Sequence, residues 1–172
     1  MKQQPPTNPM VTGKEKMMKT TAIEKALNES RFFKDFEETT IAKIADIGQL
    51  VKLEAGENVF QQGDFGRHIH IIVNGHVSLE RKTDLGKRTG SVVIDMLGKG
   101  RFLGCWSTLL GEPHILMSSA YCQKPTEIVS IEGAELREMM LNNTVLGMQV
   151  MERLCFLLRD RIQAAYGAME KI

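Results

Sequence analysis

The chain has 172 residues, enough for one domain with a buried core, and its 42% hydrophobic and 25% charged residues are ordinary for a soluble globular protein. A formal net charge of +1 gives no electrostatic case for nucleic acid or an anionic membrane. No window approaches the roughly 18 consecutive apolar residues of a membrane span, and Cys105, Cys122 and Cys155 are too few and too scattered for a disulfide framework or a CxxC metal pair.

MKQQPPTNPM at the N-terminus has no apolar core and does not read as a signal peptide. With the cysteine usage, this points to a reducing cytoplasm. Residues 1–19 are polar and Pro-bearing and read as a mobile arm. Thr20 or Thr21 is the expected cap of a helix carrying Ile23, Leu27 and Phe32 or Phe33. A second short helix is predicted from Thr40, with Ile41, Ile44 and Ile47 at three-residue spacing and Gly48 as its stop.

From Leu50 to Ile131 the period changes. Short alternating segments are separated by Gly-bearing turns at 55–58, 62–66, 74–75, 85–87 and 97–100. Ile69, Ile71 and Val73 face one way, and His68, His70 and Ile72 the other. Asn74-Gly75 predicts a hairpin, after which Val77 and Leu79 resume the apolar face. Arg81-Lys82 and Lys87-Arg88, interleaved with Glu80 and Asp84, read as the solvated charges of a hairpin turn. Strands at this spacing indicate an antiparallel sandwich or barrel.

Helix returns at Gly133 to Leu141, and Asn143 is the expected cap of a long helix running to about Lys171. Two apolar stripes run along it. Thr144, Met148, Met151, Cys155, Leu158, Ile162, Ala165, Met169 and Ile172 follow the alternating four-three spacing of a heptad seam. Val150, Leu154 and Leu157 lie about 100° further round. One stripe is expected on the β domain. The other is expected on the same helix of a second copy, giving a twofold homodimer with Met148, Met151, Cys155, Leu158, Ile162, Ala165 and Met169 in the interface. A single broad face packed within one chain is the alternative.

This order of elements resembles the cyclic nucleotide-binding domain, the effector domain of bacterial CRP/FNR-type regulators. The residues carrying the resemblance are Gly56-Glu57; Phe60, Gln62, Gly63 and Asp64; Val73, Asn74, Gly75 and Val77; and Leu97, Gly98, Gly100, Phe102 and Gly104. It covers roughly Phe32 to Gln163. The fold it implies is α+β, mainly β: an antiparallel β-roll or jelly-roll-like barrel over 20–141 with flanking helices, and a dimerisation helix over 142–172.

The resemblance also implies a phosphate-binding cassette in FLGCWSTLLGEPHILMSSA, Phe102 to Ala120. In the family a Gly-Glu pair opens a short helix whose N-terminal amides hold the cyclic phosphate. The Glu accepts from the ribose hydroxyl, and an Arg further on pairs with the phosphate. Here Gly104 is followed by Cys105, and no Arg lies between Arg101 and Arg137. Depending on the gap, the Arg position falls on His114, Ile115 or Leu116. Losing each partner of a buried charge pair costs about 2–5 kcal/mol, so tight binding of cyclic AMP or cyclic GMP is not expected. The Gly-Cys-Trp-Ser run is similar to a subgroup of these bacterial proteins with Gly-Trp-Ser here.

The expected ligand-contacting residues are Phe102, Gly104, Cys105, Trp106, Ser107, His114, Ser118 and Ser119. Trp106 is read as core filler or as a platform for a planar ligand. The expected effector is a cyclic nucleotide or another small anion, with no certain cofactor. His68-x-His70 with His76 invites a cupin-like metal reading, but the Glu that pattern needs is replaced by Asn74 and Gly75. Cys105 at a helix start admits a redox-sensing reading, and a small neutral core residue is the alternative. The expectation is a non-enzymatic sensor acting through its dimer helix or a protein partner. No membrane contact or direct DNA binding is expected from this chain, which reads either as complete or as the effector half of a longer transcription regulator.

Overall fold

Residues 13–84, 86 and 89–169 are described by the computed structural model. Helix α1 (Gly13–Glu29) begins within the segment read as an arm; residues 1–12 of that segment lie outside the described residues. The Thr21 hydroxyl donates to the Met17 carbonyl one turn back (3.0 Å), so it lies inside the helix and does not cap it. Ser30 ends the helix instead. Its hydroxyl donates to the Leu27 carbonyl (2.7 Å) and accepts from the Phe33 amide (3.0 Å). Phe32 and Phe33, one of which was expected on α1, therefore enter the core from a turn, as does Phe36. Helix α2 (Glu38–Asp46) buries Ile41, Ile44 and Ala45. Gly48 follows as the first residue of β1, where a Cβ would press on Ile23, Val129 and the Ala45 carbonyl at 3.2–3.4 Å.

Eight strands form two four-stranded antiparallel sheets. One has the order β1 (Gly48–Leu53), β8 (Thr126–Glu132), β3 (His68–Asn74), β6 (Phe102–Gly104). The other has the order β2 (Asn58–Phe60), β7 (Ser119–Cys122), β4 (Val77–Asp84), β5 (Thr89–Leu97). Among the described residues no ladder joins the sheets into a closed barrel. The architecture is the mainly β, jelly-roll-like one expected.

The alternation of β3 is as expected. Ile69 and Ile71 join the core beneath the helices, and Ile72 joins Val77, Leu79, Leu97, Leu103 and Ile128 between the sheets. Val77 and Leu79 thus continue the Ile72 face, not the Ile69 face. The predicted hairpin at Asn74-Gly75 is not one. β3 pairs with β6 and β8, and β4 pairs with β5 and β7, so this turn carries the chain from one sheet to the other. Gly75 has a φ of 111°, and a Cβ there would overlap Thr126, so the turn demands glycine for closeness as well as for φ. The long hairpin is β4–β5. Lys87 and Arg88, read as its turn charges, lie outside the described residues.

Helices α3 (Gly133–Asn142) and α4 (Thr144–Met169) close the fold. Asn143 caps α4 as predicted, its Oδ1 accepting from the Val145 and Leu146 amides at 3.1 Å each. Leu146, Val150 and Leu154 are buried against the helical core, with Leu157 partly so. On the heptad seam, Met148 is 73% and Ile162 54% exposed, and Cys155 is exposed. Met151 and Leu158 lean onto the helical core. The side chains of Ala165 and Met169, and all of Ile172, lie outside the described residues. No described helix is long and apolar enough to cross a membrane.

Candidate ligand site: the cassette and an arginine-lined cleft

Gly104 ends β6 with a φ of 109°; a Cβ there would stand 2.5 Å from the His68 carbonyl oxygen and 3.1 Å from His70 Cδ2. Only glycine lets the cassette leave the sheet at this point. The Cys105 amide still donates to the His68 carbonyl (2.9 Å), and the chain then forms a single 3-10 helix, Trp106–Leu110, closed by Gly111 at a φ of 79°. The short helix that the resemblance implied is five residues of 3-10 helix, too short to give much of an aligned dipole.

The cassette's polar atoms are spent on one another. The Ser107 hydroxyl donates to the Glu112 carbonyl (2.6 Å), so the 2.5 Å contact to His114 Nδ1 is made with that nitrogen as donor. Cys105 Sγ lies 3.4 Å from Ser107 Oγ and 3.6 Å from His114 Nδ1. Leu116, at one of the positions where the family's Arg falls, is buried. A Cβ on Gly66 would meet Leu116 and the Cys105 sulfur at 2.9 Å each, so this region is packed by apolar atoms and a thiol.

The remaining predicted residues do not converge on one pocket. Trp106 packs on the helical core and meets His114 edge-to-face at 6.5 Å. Ser119 Oγ accepts from the Gln62 amide (2.9 Å). Phe102 stacks on Phe32 with ring centroids 4.3 Å apart. Phe102 and Ser118 line a different space, described below.

The cassette is fastened to α3. Arg137 Nη1 donates to the Leu109 carbonyl (2.7 Å), and Gly133 leaves room for Thr108, whose side chain a Cβ at 133 would overlap. Thr108 Oγ1 in turn donates to the Cys105 carbonyl (2.8 Å).

The histidines do not form a metal centre. His68 is exposed, His70 is buried with its ring centroid 6.1 Å from that of His68, and His76 lies beside Gly98. Among the described residues no group of three or more His, Cys, Asp or Glu is placed to hold an ion. His70 has another distinction. Its Nδ1 is buried without a hydrogen-bond partner, and burial, helped by His68, pushes its pKa down to about 3.

A cleft lies between α4, the turn after α1, and the adjoining edges of both sheets. It measures about 1030 Å³ and is lined by Arg31, Arg101, Arg153, Arg159 and Arg161 together with Phe32, Phe102 and Phe156. Sequence reasoning missed it because its arginines come from three separate segments. One signal was available: Val150, Leu154 and Leu157 are followed at the same spacing by Arg161, a guanidinium in the line of side chains that faces the protein.

The cyclic nucleotide-binding domain family matches residues 50–143, more than half of the chain. Among solved structures, a cyclic nucleotide-binding domain from Methylobacillus flagellatus aligns with a TM-score of 0.74 at 21% identity, covering 89% of this chain and 84% of that one. A Geobacter metallireducens protein named for cyclic nucleotide binding aligns at 0.63 and 28% identity, over 81% and 97% of the two chains. The sensor domain of the transcriptional regulator DNR from Pseudomonas aeruginosa aligns at 0.67 and 17% identity, over 84% and 93%. No curated protein is significantly similar in sequence. On the match over 50–143, the chain belongs to the cyclic nucleotide-binding domain family.

Proposed function

We propose that this protein is a regulatory, ligand-sensing module and not an enzyme, that its cassette no longer supports tight binding of cyclic AMP or cyclic GMP, and that it signals through α4. One observation carries the reading: the cassette's hydrogen-bonding groups satisfy each other through Ser107, His114 and Glu112, while buried Leu116 and Cys105 fill the space beside Gly66. A cyclic phosphate brought there would meet a short 3-10 turn, and the guanidinium held on the cassette, that of Arg137, is bound to the Leu109 carbonyl near the turn's C-terminal end. With both charged partners lost, at about 2–5 kcal/mol each, affinity falls by roughly a thousandfold or more.

The signalling part rests on connectivity. The cassette touches α3 through Arg137 and Thr108, and Asn143 joins α3 directly to α4. A shift of the cassette therefore moves the base of α4. The exposed seam of Met148, Cys155 and Ile162 is the surface on which a second copy would dock. The role fits the regulator sensor domain that is similar in fold.

Calorimetry of the full chain with cyclic AMP tests the ligand half; no saturable binding at micromolar nucleotide is expected, and saturable micromolar binding would overturn it. Mild oxidation tests the dimer half. Cys155 on a twofold seam should give a covalent dimer that Cys155→Ser abolishes, since Cys105 and Cys122 are buried. A chain that stays monomeric at tens of micromolar in light scattering and forms no such crosslink would sink it.

A further inference from the structure

His70 sits beneath the point where the cassette leaves the sheet. Its ring carbon Cδ2 lies 3.1 Å from where a Cβ on Gly104 would stand, and the Cys105 amide donates to the carbonyl of His68 (2.9 Å). The strand carrying this start, β6, has three residues and is the outer strand of its sheet, paired with β3 alone. Leu103 lies opposite His70, and Gly104 opposite Ile69. A short edge strand with one partner opens at less cost than the strands inside the sheet. The His70 ring is 7% exposed, and its Nδ1 has no hydrogen-bond partner. A proton bound there would put a charge in a buried place with nothing to accept from it. The groups packed against the ring supply no counter-charge. Phe60 of β2 stacks on it with centroids 6.1 Å apart, Leu103 and Gly104 of β6 and Ser130 of β8 adjoin it, and His68 on its own strand can only repel. Glu132 of β8 stands opposite the exposed His68, two residues further along the ladder. In the cassette, His114 is engaged with Ser107, and Cys105 lies beside both.

We infer that the start of the cassette is an acid-sensitive latch: protonation of His70 favours a state in which Gly104 and Cys105 lift from β3 and water reaches the ring. The latch goes beyond the sensor reading above and does not depend on what the cassette binds. Burial holds the pKa of the closed state to about 3, whereas a solvated histidine takes its proton near pH 6.5. An opening that wets the ring is therefore favoured as pH falls below the higher value, by about 30-fold between pH 7.5 and pH 5. The movement has a route outward. Thr108 Oγ1 donates to the Cys105 carbonyl (2.8 Å), and the Thr108 side chain fills the space that Gly133 leaves at the start of α3. Lifting Cys105 thus acts on the helix that leads into α4.

Thiol labelling of the full chain with 4,4′-dithiodipyridine tests this, with mass spectrometry resolving each cysteine and every rate divided by that of glutathione at the same pH. Cys105 and Cys122 are both buried, Cys105 in the latch and Cys122 in the core between the sheets. Cys105 should label at least about tenfold faster than Cys122 throughout, because the latch opens without unfolding the roll. Its corrected rate should rise about 30-fold from pH 7.5 to pH 5, and His70→Leu should remove that rise. His68, His114 and Glu132 titrate in both proteins, so the comparison isolates His70. If His70→Leu fails to fold, His70→Phe keeps an aromatic ring beside Phe60 and removes the titration. Equal labelling of Cys105 and Cys122 would show that the cassette start opens only with the whole roll and would overturn the inference. So would the same pH response in the parent and the non-titrating variant. Neither result touches the cyclic nucleotide half of the sensor reading, which calorimetry decides.

Discussion

His70 makes a sharp prediction about stability and pH. Its ring is buried between the sheets, Nδ1 has no partner, and its pKa in the folded protein is about 3. The unfolded chain binds a proton at this histidine below about pH 6.5. Between these values the unfolded state holds the extra proton, so stability is full above the higher value and falls as pH drops. The loss accumulates at about 1.4 kcal/mol per pH unit and reaches about 2 kcal/mol on going from pH 7.5 to pH 5. That figure holds for any folded pKa well below 5. With a urea slope of about 2 kcal/mol/M, it moves the unfolding midpoint by roughly 1 M. His70→Leu removes both the titration and the unpartnered nitrogen. The variant should match or exceed the parent's stability at pH 7.5, because a buried unmade hydrogen bond costs about 1–3 kcal/mol. It should also lose about 2 kcal/mol less than the parent between pH 7.5 and pH 5. Urea melts of both proteins at both pH values measure the difference of differences, in which the carboxylates common to both chains cancel. If the two proteins lose the same stability, His70 is not held neutral inside the roll and the reasoning fails.

Three further outcomes follow from local geometry. Gly104→Ala forces a side chain onto a φ of 109° and against the His68 carbonyl; a loss of at least about 1–3 kcal/mol in urea melts is expected, and an unchanged midpoint would contradict the geometry. Asn143→Ala removes the acceptor for two amides at the start of α4 and should cost about 1 kcal/mol, whereas Asn143→Ser should retain most of it. Leu154→Ala and Ile162→Ser should separate the two faces of α4. The first, 2% exposed, costs about 2–5 kcal/mol by chemical denaturation. The second, 54% exposed, leaves the stability of the single chain nearly unchanged and weakens self-association in light scattering.

Much of the fold was legible because its signals are local. The period-2 alternation of β3 assigns Ile69 and Ile71 to one side and Ile72 to the other, and the structure places them so. Asn143 before an apolar run reads as a cap and is one. Two misreadings share a cause. Asn74-Gly75 supplies the φ of a hairpin turn, but pairing is decided by which strands lie alongside, and β8 and β6 take β3. Thr21 has the chemistry of a cap but sits one turn from Met17, so it bonds back inside a helix that had already begun.

The candidate site divides along the same line. By itself the sequence determined that Cys105 follows Gly104 and that no Arg lies between Arg101 and Arg137, because those are matters of residue identity. It also determined that α4 has more than one apolar face. Only the tertiary structure decided that Trp106 packs on the helical core, that Ser107 and His114 satisfy each other, and that His70 is buried without a partner. It alone decided, too, that arginines at 31, 101, 153, 159 and 161 line one cleft. The physical reason is range: periodicity and capping act within a few residues, whereas a pocket is made by side chains whose only proximity is in space.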